Sequence, residues 1–286
     1  MNIPAKIGAG VLISAAAGWT LVQNRWLTTS KYDICVPGLP KEFDGLKILH
    51  LSDLHKKRYG DGFNNLINSC SFLEPDLIFF TGDLFSRDEI NLDPKPVLMQ
   101  RLMKLAPVYY VIGNHEGDAP EKTAALCRKL SEDGVRVLNN RTEQIVRGGA
   151  HINITGAVLP QSHYRAAKGG YSSRTEITPA LMRALVGRPE KGVVTLLLAH
   201  DPLPFRAYAA WGAAVTFAGH VHGGVVRLPL VGGVLSPERR FFPKYTKGVY
   251  KLGRSQLVVS AGLGKFRLHN PSQIILATLS APPADS

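Results

Sequence analysis

Short, uninterrupted apolar runs recur along this 286-residue chain, and several are followed at once by aspartate, glycine or histidine. Runs at residues 46–51, 76–80 and 108–112 alternate with stretches of helical spacing at residues 63–73 and 97–105. Continuous apolar runs of this length are typical of strands that are buried on both faces. Strand, helix and strand at these intervals predict right-handed βαβ units in a mostly parallel sheet.

After residue 133 the pattern changes to more closely spaced strand candidates. They lie at residues 135–138, 142–146, 152–157, 193–199, 214–218, 257–260 and 274–279. Before them, Pro120 is at an acceptable first-turn position and predicts the start of a further helix. Two β-sheets packed face to face, with helices outside, would bury all these elements in one core. We therefore predict an α/β fold with one large domain in residues 31–286.

Residues 1–30 form a separate, apolar segment. Its central part, residues 7–22, carries no charge and as one helix would span roughly 24 Å, slightly less than a hydrocarbon core of about 30 Å. Three interpretations fit this segment: an uncleaved membrane anchor, a secretory signal cleaved near residues 15–17, and an apolar helix packed on the domain. We favour the anchor, because the apolar part is at the upper length limit of a signal and Trp19 and Trp26 suit a membrane interface.

The formal net charge is +12, which favours anionic partners such as phosphate esters, nucleic acid or acidic lipid headgroups. A basic surface without a dedicated partner has the same composition, so charge alone does not select one. No ordered basic and aromatic track for single strands is visible, which counts against nucleic acid. The sequence also has no G-x-x-x-x-G-K-[ST], H-E-x-x-H or G-x-S-x-G motif, which excludes the P-loop, zincin and serine-hydrolase interpretations.

Five short polar motifs each lie at or just after the end of an apolar run. In chain order these are Asp53-Leu54-His55, Gly82-Asp83, Gly113-Asn114-His115-Glu116, His200 and Gly219-His220-Val221-His222. Each is unspecific by itself, since an aspartate at a strand end more often caps a turn. Because α/β sheets bind ligands at the carboxyl ends of their strands, we expect the five motifs to meet at one edge.

The residue types in these motifs suit a pair of divalent cations. Two ions about 3.5–4 Å apart acidify a bound water and bind phosphoryl oxygens. Two cations so close together need an anionic ligand that both of them share. Asp83 is central among the candidates for this bridge. The mixed nitrogen and oxygen donors suit Mn²⁺, Fe or Zn²⁺ better than Ca²⁺. The other candidate ligands are Asp53, His55, Asn114, His200, His220 and His222.

His115 follows a candidate ligand, and we expect it to point into the site without necessarily binding an ion. A histidine in this position could act as general acid toward the leaving oxygen, with Glu116 holding its orientation. Two polar, basic stretches at residues 160–178 and 227–247 are either surface loops or caps that bind an anionic, partly apolar substrate. The other histidines have structural or solvated roles by default, although His163 and His269 could reach a substrate.

The ordered motifs D-x-H, G-D, G-N-H-(D/E), H and G-H-x-H resemble those of the calcineurin-like metallophosphoesterase superfamily. The resemblance covers roughly residues 46–279 and implies a four-layer αββα sandwich of two mixed β-sheets flanked by helices. It also implies that His115 is the catalytic histidine. By the same resemblance, one ion takes Asp53, His55, Asp83 and His222, and the other takes Asp83, Asn114, His200 and His220.

The chain is still more similar to a bacterial, membrane-associated branch of that superfamily. This branch has an apolar N-terminal segment, G-H-x-H-G-G followed by R-L-P, and a later G-L-G, which stand here at residues 219–224, 227–229 and 262–264. Two departures, a shortened stretch at residues 265–267 and Ser272-Gln273 in place of an acidic residue, touch no candidate ligand. Some members of the branch cleave the pyrophosphate of UDP-2,3-diacylglucosamine, and others are general phosphodiesterases.

The expected function is therefore phosphoester hydrolysis by a metal-bound hydroxide, as a phosphodiesterase or pyrophosphatase. The resemblance implies a lipid-linked or nucleotide-sugar-lipid substrate and a place at the bacterial inner membrane, with a single N-terminal anchor and the face left open. A nuclease-type phosphodiesterase is one alternative. A non-catalytic scaffold with the same fold is another, although a scaffold is expected to lose ligands and this chain keeps the whole set.

Overall fold

A computed structural model defines the fold. The residues that it describes are 26–165, 174–224, 226–228, 232–235, 241–264, 267 and 270–282. The anchor was predicted at residues 1–30, and residues 1–25 of it lie outside the described part of the chain. Within it, none of the helices combines the length and the apolar character needed to span a bilayer.

Six strands form the first sheet. They are β1 (Leu27–Cys35), β2 (Lys47–Leu51), β3 (Leu77–Thr81), β4 (Val108–Val111), β5 (Arg136–Val137) and β14 (Ser272–Ser280), in the order β1-β14-β2-β3-β4-β5. Strands β2 to β5 are parallel, as the βαβ pattern predicts. Strand β14 pairs in parallel with β1 and antiparallel with β2, so the sheet is mixed.

Six further strands form the second sheet. They are β6 (Arg141–Arg147), β7 (Ala150–Ala157), β8 (Thr195–Ala199), β9 (Val215–Ala218), β12 (Gly248–Leu252) and β13 (Ser255–Val259), in the order β12-β13-β9-β8-β7-β6. The four central strands are parallel and the two outer ones pair antiparallel. A separate hairpin is formed by β10 (Val226–Leu228) and β11 (Gly232–Leu235).

Seven α-helices connect and cover the described strands. They are α1 (Asn64–Ser71), α2 (Pro94–Met103), α3 (Asn114–Gly117), α4 (Pro120–Glu132), α5 (Gln161–Tyr164), α6 (Pro179–Val186) and α7 (Phe205–Trp211), and short 3₁₀ turns lie at Lys41–Phe43 and Asp61–Phe63. Helices α2, α4 and α6 each begin with proline. Proline has no backbone N–H, but the N–H groups of the first turn have no partner within the helix, so no hydrogen bond is lost. Helix α6 is also capped by the Thr178 hydroxyl, which accepts from the Leu181 amide at 3.2 Å.

The hydrophobic core lies in three layers. One apolar cluster packs α1, α2 and α4 on the first sheet, and its members include Leu66, Leu98 and Leu126. A second cluster fills the space between the sheets, with Phe79 of the first sheet against Phe217 of the second at 5.1 Å between ring centroids. A third packs α5, α6 and α7 on the other side of the second sheet. This arrangement confirms the predicted four-layer αββα sandwich.

The first strand begins inside the segment that the sequence analysis set apart. Residues 27–30 pair with β14, so the boundary expected at residue 30 falls within β1. The pattern of this strand is hard to detect because it is an edge strand, polar along much of its length, with only Ile34 fully buried. Strand β12 was also missed, because it is another partly exposed edge strand.

Candidate metal centre

The predicted ligands meet where the carboxyl ends of both sets of parallel strands approach one another. The loops after β2, β3 and β4 carry the residues of the first sheet, and those after β8 and β9 carry the residues of the second. Asp83 Oδ2 lies 3.6 Å from His55 Nε2 and 3.4 Å from His200 Nε2. Asp53 Oδ1 lies 3.6 Å from His222 Nε2. Residues separated by up to 169 positions therefore form one buried cluster.

All the side chains that the sequence predicts as ligands belong to this cluster. His200 Nε2 is 3.1 Å from Asn114 Oδ1 and 3.3 Å from His220 Nδ1, so these two groups adjoin the Asp83 side of the cluster. Three sets of donors have their ligand atoms within 4.8 Å of one another. They are Asp53, His55 and His222; Asp53, Asp83 and His200; and His55, Asp83 and His115.

The backbone of five candidate ligands is left-handed. The φ angles of Asp53, His55, Asp83, His220 and His222 lie between 52° and 65°. Residues with a Cβ rarely adopt this conformation, and it persists only where the surrounding structure holds it. Concentration of this strain at the ligand positions is typical of a functional site, because the turn after each strand directs the side chain back toward the centre.

Two glycines leave room for the carboxylates. A Cβ at Gly113 would lie 2.4 Å from Asp83 Oδ1, and one at Gly219 would lie 2.3 Å from Asp53 Oδ2. No side chain fits at either position without moving a carboxylate. The loops are therefore packed for acidic groups at the centre, which fits the donor set of a dimetal site.

His200 is oriented by a backbone carbonyl. Its Nδ1 lies 2.7 Å from the Thr81 carbonyl oxygen, which can only accept, so Nδ1 carries the proton of the neutral ring. The lone pair of Nε2 then points toward Asp83 and Asn114. This is the usual way in which a metal-ligating imidazole is fixed by its other nitrogen.

Glu116 does not orient His115, contrary to our expectation. Its buried carboxylate accepts hydrogen bonds from the backbone amides of Asp83 at 3.0 Å, Leu84 at 2.6 Å and Gly113 at 3.0 Å. It also accepts from the Tyr110 hydroxyl at 3.0 Å. Glu116 therefore ties the loop after β3 to the loop after β4. Burial raises the pKa of Glu116 to about 7, and the charge of Asp83 adds to the rise.

His115 is held by the chain after Asp83 instead. The Arg87 amide donates to His115 Nδ1 at 3.2 Å, so the proton of the neutral ring is on Nε2. That nitrogen lies 3.9 Å from Asp83 Oδ2, and the ring packs edge-on against the His55 ring at 4.7 Å. The His115 proton is thus directed into the cluster, which suits the role predicted for it.

A buried lysine behind the centre gave no signal in the sequence. Lys95 is 2% exposed, donates to the His55 carbonyl oxygen at 2.5 Å and pairs with Glu89 at 3.0 Å. Glu89 accepts from the Ser86 amide at 3.1 Å, and the Ser86 hydroxyl lies 3.2 Å from His55 Nδ1. The four residues form a closed ring of contacts that fixes both the backbone and the imidazole of His55. The local sequence Asp93-Pro94-Lys95-Pro96 predicts the exposed first turn of a helix and gives no indication that Lys95 is buried.

The two central carboxylates differ in their electrostatics. Burial raises the pKa of Asp53. Burial acts in the same direction on Asp83, but the nearby imidazoles of His200, His55 and His115 outweigh it and hold the pKa of this carboxyl well below its usual range. Asp83 is therefore the carboxylate whose surroundings favour the charged form most strongly, as a bridging ligand requires.

The remaining histidines are divided by their surroundings. His50 is buried between the sheets and lies 2.8 Å from the Thr81 hydroxyl, which confirms a structural role. His151 pairs with Glu190 at the surface. His163 lies near the centre. Its neighbour in the chain, Tyr164, packs on the His220 ring with ring centroids 5.3 Å apart. His269 lies outside the described residues.

The calcineurin-like phosphoesterase family matches residues 46–224, which contain every candidate ligand. The chain belongs to this family. Its fold and the donor groups at the strand ends make this phosphoesterase a metal-dependent phosphoester hydrolase with the residues of a dimetal site.

Known relatives agree with this assignment. The phosphoesterase is 25% identical over 273 residues to the uncharacterized metallophosphoesterase YkuE of Bacillus subtilis, covering 92% of this chain and 88% of the relative. It is 26% identical over 224 residues to the phosphodiesterase YaeI of Escherichia coli, covering 76% and 75%. The solved structure of phosphopantetheinyl hydrolase (PptH) from Mycobacterium tuberculosis matches with a TM-score of 0.50 at 14% identity, covering 85% and 99%, and shows the fold alone.

Proposed function

We propose that this protein hydrolyses a phosphodiester or a pyrophosphate, with two divalent ions held at the strand ends. The observation that carries the proposal is Asp83, a buried carboxylate with imidazole nitrogens of two different loops within 3.6 Å. Mn²⁺, Zn²⁺ and Fe suit the mixed donors. The residues that would hold the ions are Asp53, His55, Asp83, Asn114, His200, His220 and His222.

The ions, when bound, supply an acidified water and neutralise charge on the phosphoryl oxygens. The chain's own contribution is to hold its donors in place, with Glu116 fixing Asp83 and Thr81 fixing His200. His115 would donate a hydrogen bond from Nε2 to the leaving oxygen and stabilise the negative charge that develops there, while its Nδ1 accepts from the Arg87 amide. One preorganised hydrogen-bond donor of this kind contributes about 10²–10³ in rate.

The substrate that we propose is lipid-linked, either a nucleotide-sugar lipid such as UDP-2,3-diacylglucosamine or another phosphodiester near a membrane. The net charge of +12 supports an anionic substrate, and the uncharged run at residues 7–22 supports a membrane location. Similarity to the phosphodiesterase YaeI supports a diester over a monoester. We further propose the bacterial inner membrane as the location. Fractionation of the full chain and of one starting at residue 26 tests this, with only the full chain expected in membranes.

Metal-stripped protein tests the chemistry. It is supplied with Mn²⁺, Zn²⁺ or Mg²⁺ and offered bis(4-nitrophenyl) phosphate, 4-nitrophenyl phosphate, UDP-2,3-diacylglucosamine and single-stranded DNA. We expect hydrolysis of the diester and of the lipid-linked pyrophosphate with added ions. Preference for DNA would favour the nuclease alternative, and no hydrolysis with any ion would favour the scaffold.

Two substitutions separate the roles at the centre. Asp83→Ala should remove both ions together, as measured by metal analysis after dialysis, and retention of full activity would refute the bridge. His115→Ala should lower kcat about 10²–10³-fold while both ions stay bound. Loss of an ion from His115→Ala would instead make His115 a ligand, as its grouping with His55 and Asp83 permits.

A further inference from the structure

A cavity lies beside the metal centre on the side of the second sheet. Its volume is about 350 Å³, within the range of roughly 300–1,000 Å³ that is usual for small-molecule sites. Free phosphate would fill only a small part of this space. The size therefore suits a larger group, one that carries atoms beyond a single phosphoryl unit.

Cationic side chains dominate the charge of this cavity. Arg174, Arg206 and Lys244 line it, against a single carboxylate from Glu176. Within the described part of the chain, neither Arg206 nor Lys244 forms an ion pair, and Lys244 rests only over the Tyr245 ring at 5.3 Å. Among the described residues, the lining of the cavity therefore carries more positive than negative charge, which favours an anionic ligand.

Much of the remaining wall is apolar. Ile177, Leu203, Ala207 and Tyr245 contribute to the lining, and Ile177, Ala207 and Tyr245 also belong to the buried core of this side. An ion alone gains nothing from such a surface, whereas an alkyl or aromatic group bound there is removed from water. The cavity therefore combines the two features of an amphiphilic anion site.

Only His163 and Tyr164 are needed to link the cavity to the metal centre. His163 lines the cavity, and its Nε2 lies 2.8 Å from Oδ2 of Asp201, the residue that follows His200. The ring of His163 contacts Tyr164 at 5.2 Å, and the ring of Tyr164 contacts His220 at 5.3 Å. A substrate bound at the centre could therefore extend past Tyr164 into the cavity.

We propose that this cavity binds a second anionic group of the substrate, together with the apolar part that carries it, while the scissile phosphate lies at the metal centre. The proposal rests on the proposed phosphoester hydrolysis and narrows its substrate class. The class is a diester or pyrophosphate with an additional negative charge on an alkyl or aromatic arm. Neutral-armed esters are weaker substrates because they leave Arg206 and Lys244 without a counter-charge.

Matched esters test this specificity. Three 4-nitrophenyl phosphodiesters carry a hexyl arm that ends in a methyl, a sulfonate or a trimethylammonium group. In wild-type protein, kcat/KM for the sulfonate arm should exceed that for the methyl arm about 3- to 10-fold, as expected for two partly exposed charge pairs, and the cationic arm should be poorest. The double variant Arg206→Gln, Lys244→Gln should bring the sulfonate-to-methyl ratio close to one.

A control variant removes the same charge elsewhere. Lys104→Gln, Arg128→Gln alters two exposed residues on the helix layer of the first sheet and should keep the wild-type ratio. An unchanged ratio in the Arg206, Lys244 variant, with the methyl ester still hydrolysed, would overturn the cavity proposal alone. Absence of hydrolysis of every ester would instead count against the proposed function.

A binding measurement decides the cavity proposal even in that case. The fluorescent probe 8-anilinonaphthalene-1-sulfonate is both apolar and anionic and needs no metal chemistry. Its Kd should rise about 3- to 10-fold in the Arg206, Lys244 variant and stay unchanged in the Lys104, Arg128 control. Equal affinity of both variants would overturn the proposal.

Discussion

The two halves of the metal centre are built differently. The half on the first sheet carries both carboxylates, the amide and the imidazole of His55, and buried charged side chains hold its loops. Glu116 binds the amides of two of these loops, and Lys95 with Glu89 supports the third. The half on the second sheet carries three imidazoles. Two of them, His200 and His220, are positioned by hydrogen bonds to the first half itself.

The contacts of the second half show this dependence. His200 is oriented by the Thr81 carbonyl at the end of β3, and the His220 amide donates to the Asp53 carboxylate at 3.1 Å. Beyond these, the neutral amide of Asn270 donates to the carbonyl oxygens of His222 at 2.5 Å and Gly224 at 3.0 Å. Changes in the first half should therefore disturb both halves, whereas changes in the second half should stay local.

Loss of the Glu116 carboxylate should have the largest effect. Glu116→Ala leaves at least three buried backbone amides without an acceptor, so the free energy of unfolding should fall by about 3–5 kcal/mol. Urea denaturation followed by circular dichroism measures this. The control Glu121→Ala, at an exposed position in the first turn of α4, should cost less than about 1 kcal/mol. Equal effects of the two variants would contradict the bracing role of Glu116.

Lys95→Met should weaken metal binding more than it weakens the fold. The substitution keeps a long, unbranched side chain but removes the donor to the His55 carbonyl and the partner of Glu89. We expect about a 10- to 100-fold loss of affinity for the ion that we propose His55 binds, as is typical when a group that orients a ligand is removed. Co²⁺ titration of stripped protein by visible absorbance measures it, with Lys104→Met as an exposed control. Unchanged Co²⁺ spectra and affinity would show that Lys95 has only a structural role.

Asn270→Ala probes the second half at the same ion. It removes one neutral donor from the His222 and Gly224 carbonyl oxygens, so the loss of Co²⁺ affinity should be less than about tenfold. The proposed difference between the halves predicts a smaller loss of Co²⁺ affinity for Asn270→Ala than for Lys95→Met. An equal or larger loss for Asn270→Ala would contradict that difference.

His50 tests how tightly the two sheets are joined. Its ring packs edge-on against Phe217 of the second sheet at 5.4 Å, and burial lowers the pKa of His50 from 6.5 to about 3. The unfolded chain therefore takes up a proton that the folded protein does not, and stability falls as the pH drops below 6.5. Between pH 7 and pH 5 this amounts to about 2 kcal/mol.

Urea unfolding at the two pH values measures that contribution. The His50→Leu variant has no group to titrate, so its stability should fall by about 2 kcal/mol less than that of the wild type over the same interval. An identical pH dependence would mean that water reaches His50 and that the sheets are less closely packed at this point.

The sequence by itself determined where the chemistry would be. Apolar runs that end in Asp53, Asp83 or His200 place each of these residues after a buried strand, because local hydrophobic periodicity is a property of neighbouring residues. The order and types of the motif residues were sufficient to indicate the family and the set of candidate ligands. Edge strands such as β1 escaped detection, because a strand that buries little surface has no clear apolar pattern.

Only the tertiary structure decided how these residues are held and what lies beside them. Glu116 bonds to amides more than thirty positions away, Lys95 of helix α2 supports His55 in the loop after β2, and Arg206 and Lys244 line one cavity. Such contacts depend on the packing of distant segments, which no local pattern encodes. The left-handed backbone of Asp53 and Asp83 was also decided by the tertiary structure. The surrounding loops impose this conformation, which is unfavourable for the residues themselves.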